Sequence, residues 1–130
     1  MRPVSFDDAE SYEPEEGWRR VSLAGSEQFS FEWFEKPPGH SSPLHHHKNE
    51  QVCVCLQGEL TVTVVADDSD DEDENGDENA DPESVTLHRH DSVLLEANER
   101  HRVENTGDER AVGLDVFAPG RSFDFWTERE

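Results

Sequence analysis

Lysine is almost missing from this chain. Only Lys36 and Lys48 occur among 130 residues, against 32 acidic side chains, and the formal net charge is −21. No basic patch can form to meet nucleic-acid phosphates or an anionic bilayer. No apolar run approaches the ~18 residues of a membrane span. The opening MRPVSFDDAE lacks the apolar core of a secretory leader, so the expected location is the cytoplasm. Few lysines, many Asp and Glu and a modest apolar fraction read together as adaptation to a high-salt interior. Self-repulsion of this size loosens a fold in dilute buffer and weakens as salt screens it.

Cysteine is scarce too. Cys53 and Cys55 are one residue apart and face the same way on a strand. A bridge between such close neighbours would be strained, so both are expected to be free thiols, either packed in the core or lining a pocket. Also missing is any sustained apolar period of 3.6 residues, which excludes a substantial helix.

Alternation with turn residues fills that space. VSL and then QFSFEWF alternate, with Phe29, Phe31 and Trp33 on one face. Pro37-Pro38-Gly39 breaks the pattern. EQVCVCLQGELTVTVV reads as two strands joined at Gln57-Gly58. SVTLHRH and the stretch from Asp91 to Gly120 supply further strands, with turns at Ala97–Glu99 and Asn105–Asp108. Many short strands predict an all-β barrel or sandwich in one domain.

Residues 1–17 read as an acidic arm, loose or docked on a partner subunit, and 126–130 as a tail. Phe123, Phe125 and Trp126 are expected to pack down, at a subunit contact or on the domain. Residues 66–84 have almost no apolar side chain and a dense run of like charge, so they are expected to form a disordered loop. Asp71, Asp73, Asn75 and Gly76 begin like a calcium-binding loop. The twelfth position, where a bidentate Glu is needed, is Pro82, which argues against calcium.

The chemistry concentrates in PLHHHKNEQ. In an extended segment His45 and His47 face one way and can grip one ion, while His46 faces the other. The same register reaches Gln51, whereas Glu50 has the wrong parity. A His-x-His pair alone is a weak signal, since it is often structural. His40, His46, His88 and His90 have no ligand-spaced partner and read as surface or turn residues.

The wider spacing is more specific. Gly39, five residues, His45-x-His47, three residues, Gln51, six residues, Gly58 resembles the first signature motif of the cupin superfamily, with Gln51 where Glu is usual. HDSVLLEANERHRVEN resembles the second motif: His90, Glu96 and Asn98 replace its Gly, Pro and Gly, while His101 and Asn105 fall in place. The resemblance covers about residues 18–125, with the acidic insertion between the motifs. It implies a single-domain, jelly-roll-like antiparallel barrel, the cupin double-stranded β-helix, and a homodimer. It also implies one divalent transition metal (Ni, Zn, Fe or Mn) on His45, His47, Gln51 and His101.

LDVFAPGRSFDF resembles the ending of small cupins similar to the pectin-degradation protein KdgF, although Pro119-Gly120 replaces their Pro-Pro. That branch implies ring opening or ketonisation of 4,5-unsaturated uronates, with Asp115, Phe117 and Arg121 as functional residues. The chemistry is compatible: Asp115 for proton transfer, Arg121 for a carboxylate and Phe117 for a sugar ring. Asp115 paired with Arg121 and Phe117 as plain core are the structural alternatives. The expected partner is a small anionic sugar. Two rival functions stand beside it: a cupin dioxygenase using Fe or another redox metal, and a non-enzymatic small-molecule binding module.

Overall fold

The structure is a computed structural model, and it describes residues 1–65 and 82–122. The calcium-like run, most of the acidic insertion and the aromatic tail from Phe123 lie outside the described residues. After a 3-10 turn at Phe6–Asp8 come β1 (Ser11–Glu15), β2 (Trp18–Ser22), β3 (Ser30–Lys36), β4 (Glu50–Gln57) and β5 (Leu60–Val65). Then follow β6 (Glu83–Leu87), β7 (Ser92–Leu95), β8 (Arg100–Asn105) and β9 (Ala111–Ala118). The strands form two antiparallel sheets, β1-β2-β3-β9-β4-β7 and β6-β5-β8. This is the expected all-β jelly-roll architecture. Among the described residues no helix is long and apolar enough to cross a membrane.

Two expected boundaries differ. Ser11–Glu15, inside the acidic arm, pairs with β2 as an edge strand of the same chain. Glu83 and Ser84, placed in the acidic loop, already belong to β6, opposite Val64 and Thr63.

The interior between the sheets is divided along its length. Phe34, Cys53, Cys55, Leu60, Val62, Leu87, Leu95, Val103 and Ala111 make one apolar cluster. Both thiols are free and fully buried, which places them in the core. A polar region adjoins this cluster, and the parity of β3 explains how it arises. The aromatic residues Phe31 and Trp33 do share a face, but it is the outer one. Trp33 is covered by Phe6, centroids 4.9 Å apart, and Phe29 precedes the strand and is exposed. The inward face of β3 is Glu32, Phe34 and Lys36, each 1% exposed.

The motif glycines have a backbone reason. Gly39 and Gly58 have φ of +84° and +83°, and a Cβ on Gly58 would sit 3.0 Å from the Arg110 carbonyl oxygen. The second motif keeps this conformation without glycine: His90 has φ 75° and Asn98 φ 65°, at the places where the family pattern has Gly. His and Asn are among the side chains most tolerant of the left-handed region, so the turns survive the substitutions.

Candidate metal centre

His45 and His47 lie before β4 rather than in it, so they are not successive members of a regular strand with Gln51. What aims them is pairing with β8. His45 and His101 form an isolated antiparallel bridge, with both backbone N–H groups donating across it at 3.0 and 2.9 Å. The Asn98 N–H then donates to the His47 carbonyl at 2.7 Å, tying the second motif's turn to the first motif. The result is a cluster of His45, His47 and His101 whose candidate ligand atoms all lie within 4.8 Å of one another. His46 is exposed and stands outside it.

Hydrogen bonds decide which nitrogens are offered. Nδ1 of His45, His47 and His101 faces the carbonyl oxygens of Pro43, Asn49 and Glu99 at 2.8, 3.0 and 2.8 Å. A carbonyl only accepts, so each Nδ1 carries the hydrogen and each neutral ring presents an Nε2 lone pair. The His101 Nε2 is buried with no hydrogen-bond partner among the described residues. Gln51 is oriented in the same way. Its Nε2 donates to the Asp115 Oδ1 at 2.9 Å, which leaves Oε1 facing the His47 Nε2 at 3.1 Å. Two lone pairs thus face each other, and a cation would satisfy both. The set fits a divalent metal held by His45, His47, Gln51 and His101, where it would supply Lewis-acid polarisation of a bound oxygen.

The model of the family described as a cupin domain matches residues 32–117. This chain belongs to the cupin family. Solved cupins share its shape. An RmlC-like cupin from Shewanella frigidimarina has TM-score 0.74 at 19% identity, covering 96% of both chains. KdgF from a Halomonas species has TM-score 0.74 at 16% identity, covering 96% of this chain and 98% of the other. Oxalate decarboxylase from Lactobacillus farciminis, in complex with formate, has TM-score 0.74 at 22% identity, covering 95% of this chain and 35% of its own. A search of curated proteins found no match.

The residues around this cupin's histidine cluster form a buried ionic network. Glu32 and Asp115 are directly opposite in the β3–β9 register. Arg20 bridges them, Nε to Glu32 at 2.7 Å and Nη2 to Asp115 at 2.7 Å. Arg121 donates to Glu32 through Nε at 3.2 Å and Nη2 at 3.4 Å. Asp115 therefore takes Arg20 and Gln51 as its partners, and Arg121 pairs with Glu32. Phe117 is fully buried, with the Arg121 guanidinium 3.7 Å above its ring and His47 edge-on at 5.6 Å. One face of its ring is thus covered by the Arg121 guanidinium.

Arg20, Glu32, Lys36 and His40 were not expected at the centre. His40, read as a turn residue, bonds Lys36 and Glu15. The available signal was polar alternation: Glu32 and Lys36 share parity with Phe34, but the aromatic register beside them is the louder pattern.

Burial holds all three cluster histidines below the ordinary imidazole range. His45 is lowered to about 2 by burial and then by His101, and His47 to about 4 by burial and then by Arg121. His101 is lowered mainly by burial. In metal-free protein these rings are neutral when folded and take up protons near pH 6.5 when unfolded. Stability is therefore full above about pH 6.5 and falls with acidification, at up to about 1.4 kcal/mol per pH unit for His47 alone. The loss continues through about pH 4. Melting temperatures of chelator-treated protein between pH 7 and 4 check this; a flat profile contradicts it.

Proposed function

We propose that this cupin binds a divalent metal on His45, His47, Gln51 and His101 and acts on a small anionic sugar, opening or ketonising 4,5-unsaturated uronates. The charge of its interior carries the reading. In a chain of net charge −21, a metal-loaded pocket would be biased positive. Arg20 and Arg121 balance Glu32 and Asp115, Lys36 adds charge when protonated, and a divalent ion on four neutral ligands would add two more. Such a pocket favours an anion over a neutral sugar. Arg121 lines the pocket and supplies a planar cation for a uronate carboxylate. Asp115 sits behind Gln51 at 2.9 Å, where a carboxylate can accept a sugar hydroxyl proton. The Gln51 ligand, the DVFAPGR ending and the likeness to the Halomonas KdgF support the same substrate class.

The test is to incubate metal-loaded protein with an unsaturated galacturonate or guluronate and follow loss of the conjugated absorbance. Assays at several salt concentrations allow for the high-salt adaptation that the acidic composition supports. The wild type is expected to exceed the spontaneous rate. Asp115→Asn should lower kcat by about 10²-fold or more, and Arg121→Lys should act mainly on KM. No acceleration at any salt concentration sinks the reading. Oxygen uptake with a candidate substrate would instead favour a dioxygenase. A stable complex without turnover, indifferent to Asp115→Asn, would favour a binding module. The family resemblance and the exposed Val4, Phe6 and Phe29 support a homodimer.

A further inference from the structure

Lys36 is a buried amine that the metal centre does not use. It is 1% exposed and lines the same pocket as His45, Gln51, Asp115 and Arg121. It lies four residues beyond Glu32 on the inward face of β3, level with Ala111 of β9 rather than with Phe117 at the metal end. Its Nζ lies 4.0 Å from the centroid of the Trp18 ring and donates to the His40 Nδ1 at 3.1 Å. The other nitrogen of His40, Nε2, meets the Glu15 Oε1 at 2.8 Å. The side chains of His40 and Glu15 are 11% and 48% exposed, so exposure rises along the chain of contacts. A lysine ammonium only donates and a carboxylate only accepts, so His40 takes a hydrogen bond on Nδ1 and gives one from Nε2.

We propose that Lys36, His40 and Glu15 form a proton path between solvent and the interior pocket, with Lys36 as the proton-carrying group that faces the ligand. In the outward step the Lys36 ammonium passes a proton to the His40 Nδ1 while the His40 Nε2 proton passes to the Glu15 carboxylate. The products are a neutral amine, a neutral imidazole protonated on Nδ1 and a carboxylic acid that discharges to water. The reverse sequence recharges Lys36. The path enters away from the metal ligands, so Lys36 can change charge while a ligand fills the mouth.

The surroundings make that change accessible. Burial, then Arg20 on β2, lowers Lys36 to about 7, opposed by Asp115 on β9, Cys53 on β4 and Glu15 on β1. His40 is lowered by burial and then by Lys36, with Glu15 opposing, so it relays as a neutral ring. The role in turnover rests on the uronate reading. Ketonisation removes a proton from an enol oxygen and forms a C–H bond, so a pocket with a second proton carrier beside Asp115 suits it.

With only two lysines in the chain and Lys48 exposed, lysine-selective nitrogen-15 labelling yields two side-chain signals, assigned with Lys48→Arg. In zinc-loaded protein the Lys36 signal should titrate near neutrality. In His40→Gln, which keeps a hydrogen-bonding side chain but cannot ionise, exchange of the Lys36 protons with water should slow about tenfold or more. Glu15→Gln should slow it less. Equal exchange rates in wild type and His40→Gln overturn the path. With an unsaturated uronate, His40→Gln should lose turnover and shift the pH profile. Wild-type turnover in that variant removes the path from the reaction. Absence of turnover in the wild type itself sinks the uronate reading, and the exchange rates still decide the path.

Discussion

Glu32→Ala should be among the most damaging single substitutions in this protein. Glu32 accepts from Arg20 at 2.7 Å and from Arg121 at 3.2 and 3.4 Å, and its side chain is 2% exposed. Removing it takes one carboxylate from two buried guanidinium groups and leaves Asp115 to compensate Arg20. Breaking a buried pair from one side costs about 3–5 kcal/mol, because a charge stays buried without its counter-charge. Total stability of a domain is about 5–15 kcal/mol, so the variant should melt far lower or fail to fold. Glu35, three residues on and facing outward, is the internal control. It pairs with Arg110 and Arg19, whose side chains are 50% and 43% exposed. Pairs with exposed guanidinium groups contribute about 0–1 kcal/mol, so Glu35→Ala, at a side chain 19% exposed, should cost far less than Glu32→Ala. Denaturant unfolding of both variants settles the comparison. Equal, small losses would show that the interior network is wetter than its geometry implies.

His101→Ala is the second large effect, and its diagnostic readout is metal binding. His101 offers a buried Nε2 with no partner among the described residues, and its Nδ1 is held by the Glu99 carbonyl at 2.8 Å. Loss of an outer partner of a metal ligand typically lowers affinity about 10–100-fold, and loss of the ligand itself should exceed that. The backbone bridge to His45 does not need the imidazole, so the loop carrying His45 and His47 stays paired. Competition against a chromogenic chelator measures the affinity. His46→Ala should leave it unchanged, because His46 is exposed outside the cluster. Similar affinities in both variants would rule out the four-ligand set. A gentler comparison is Asp115→Asn. It removes the carboxylate that orients the Gln51 amide, so affinity should fall within the outer-partner range of about 10–100-fold.

Much of the architecture is legible in the sequence because it is local. Strand alternation, turn residues and motif spacing depend on neighbours within a few positions. They placed the strands, the turns at Gly58 and Asn98, and the grouping of His45, His47 and His101. Strand parity does not hold through residues 45–49. Those residues are not in a strand, and the bridge to His101 does the aiming.

The pairing of the charges could not be read the same way. Which carboxylate meets which guanidinium depends on strands far apart in sequence, such as Arg20 and Asp115, brought together by the β2-β3-β9 order. The inward face of β3 was hidden for a related reason. Aromatic Phe31 and Trp33 and polar Glu32 and Lys36 alternate on one strand. Choosing the inner set requires knowing that Phe6 covers one side and that Arg20 waits on the other. The sequence by itself determined an acidic, all-β cupin and its candidate ligands, since spacing and turn chemistry act over short range. Only the tertiary structure decided that two arginines and a lysine enter the barrel with Glu32 and Asp115. Buried charges are tolerated only where distant strands supply their partners.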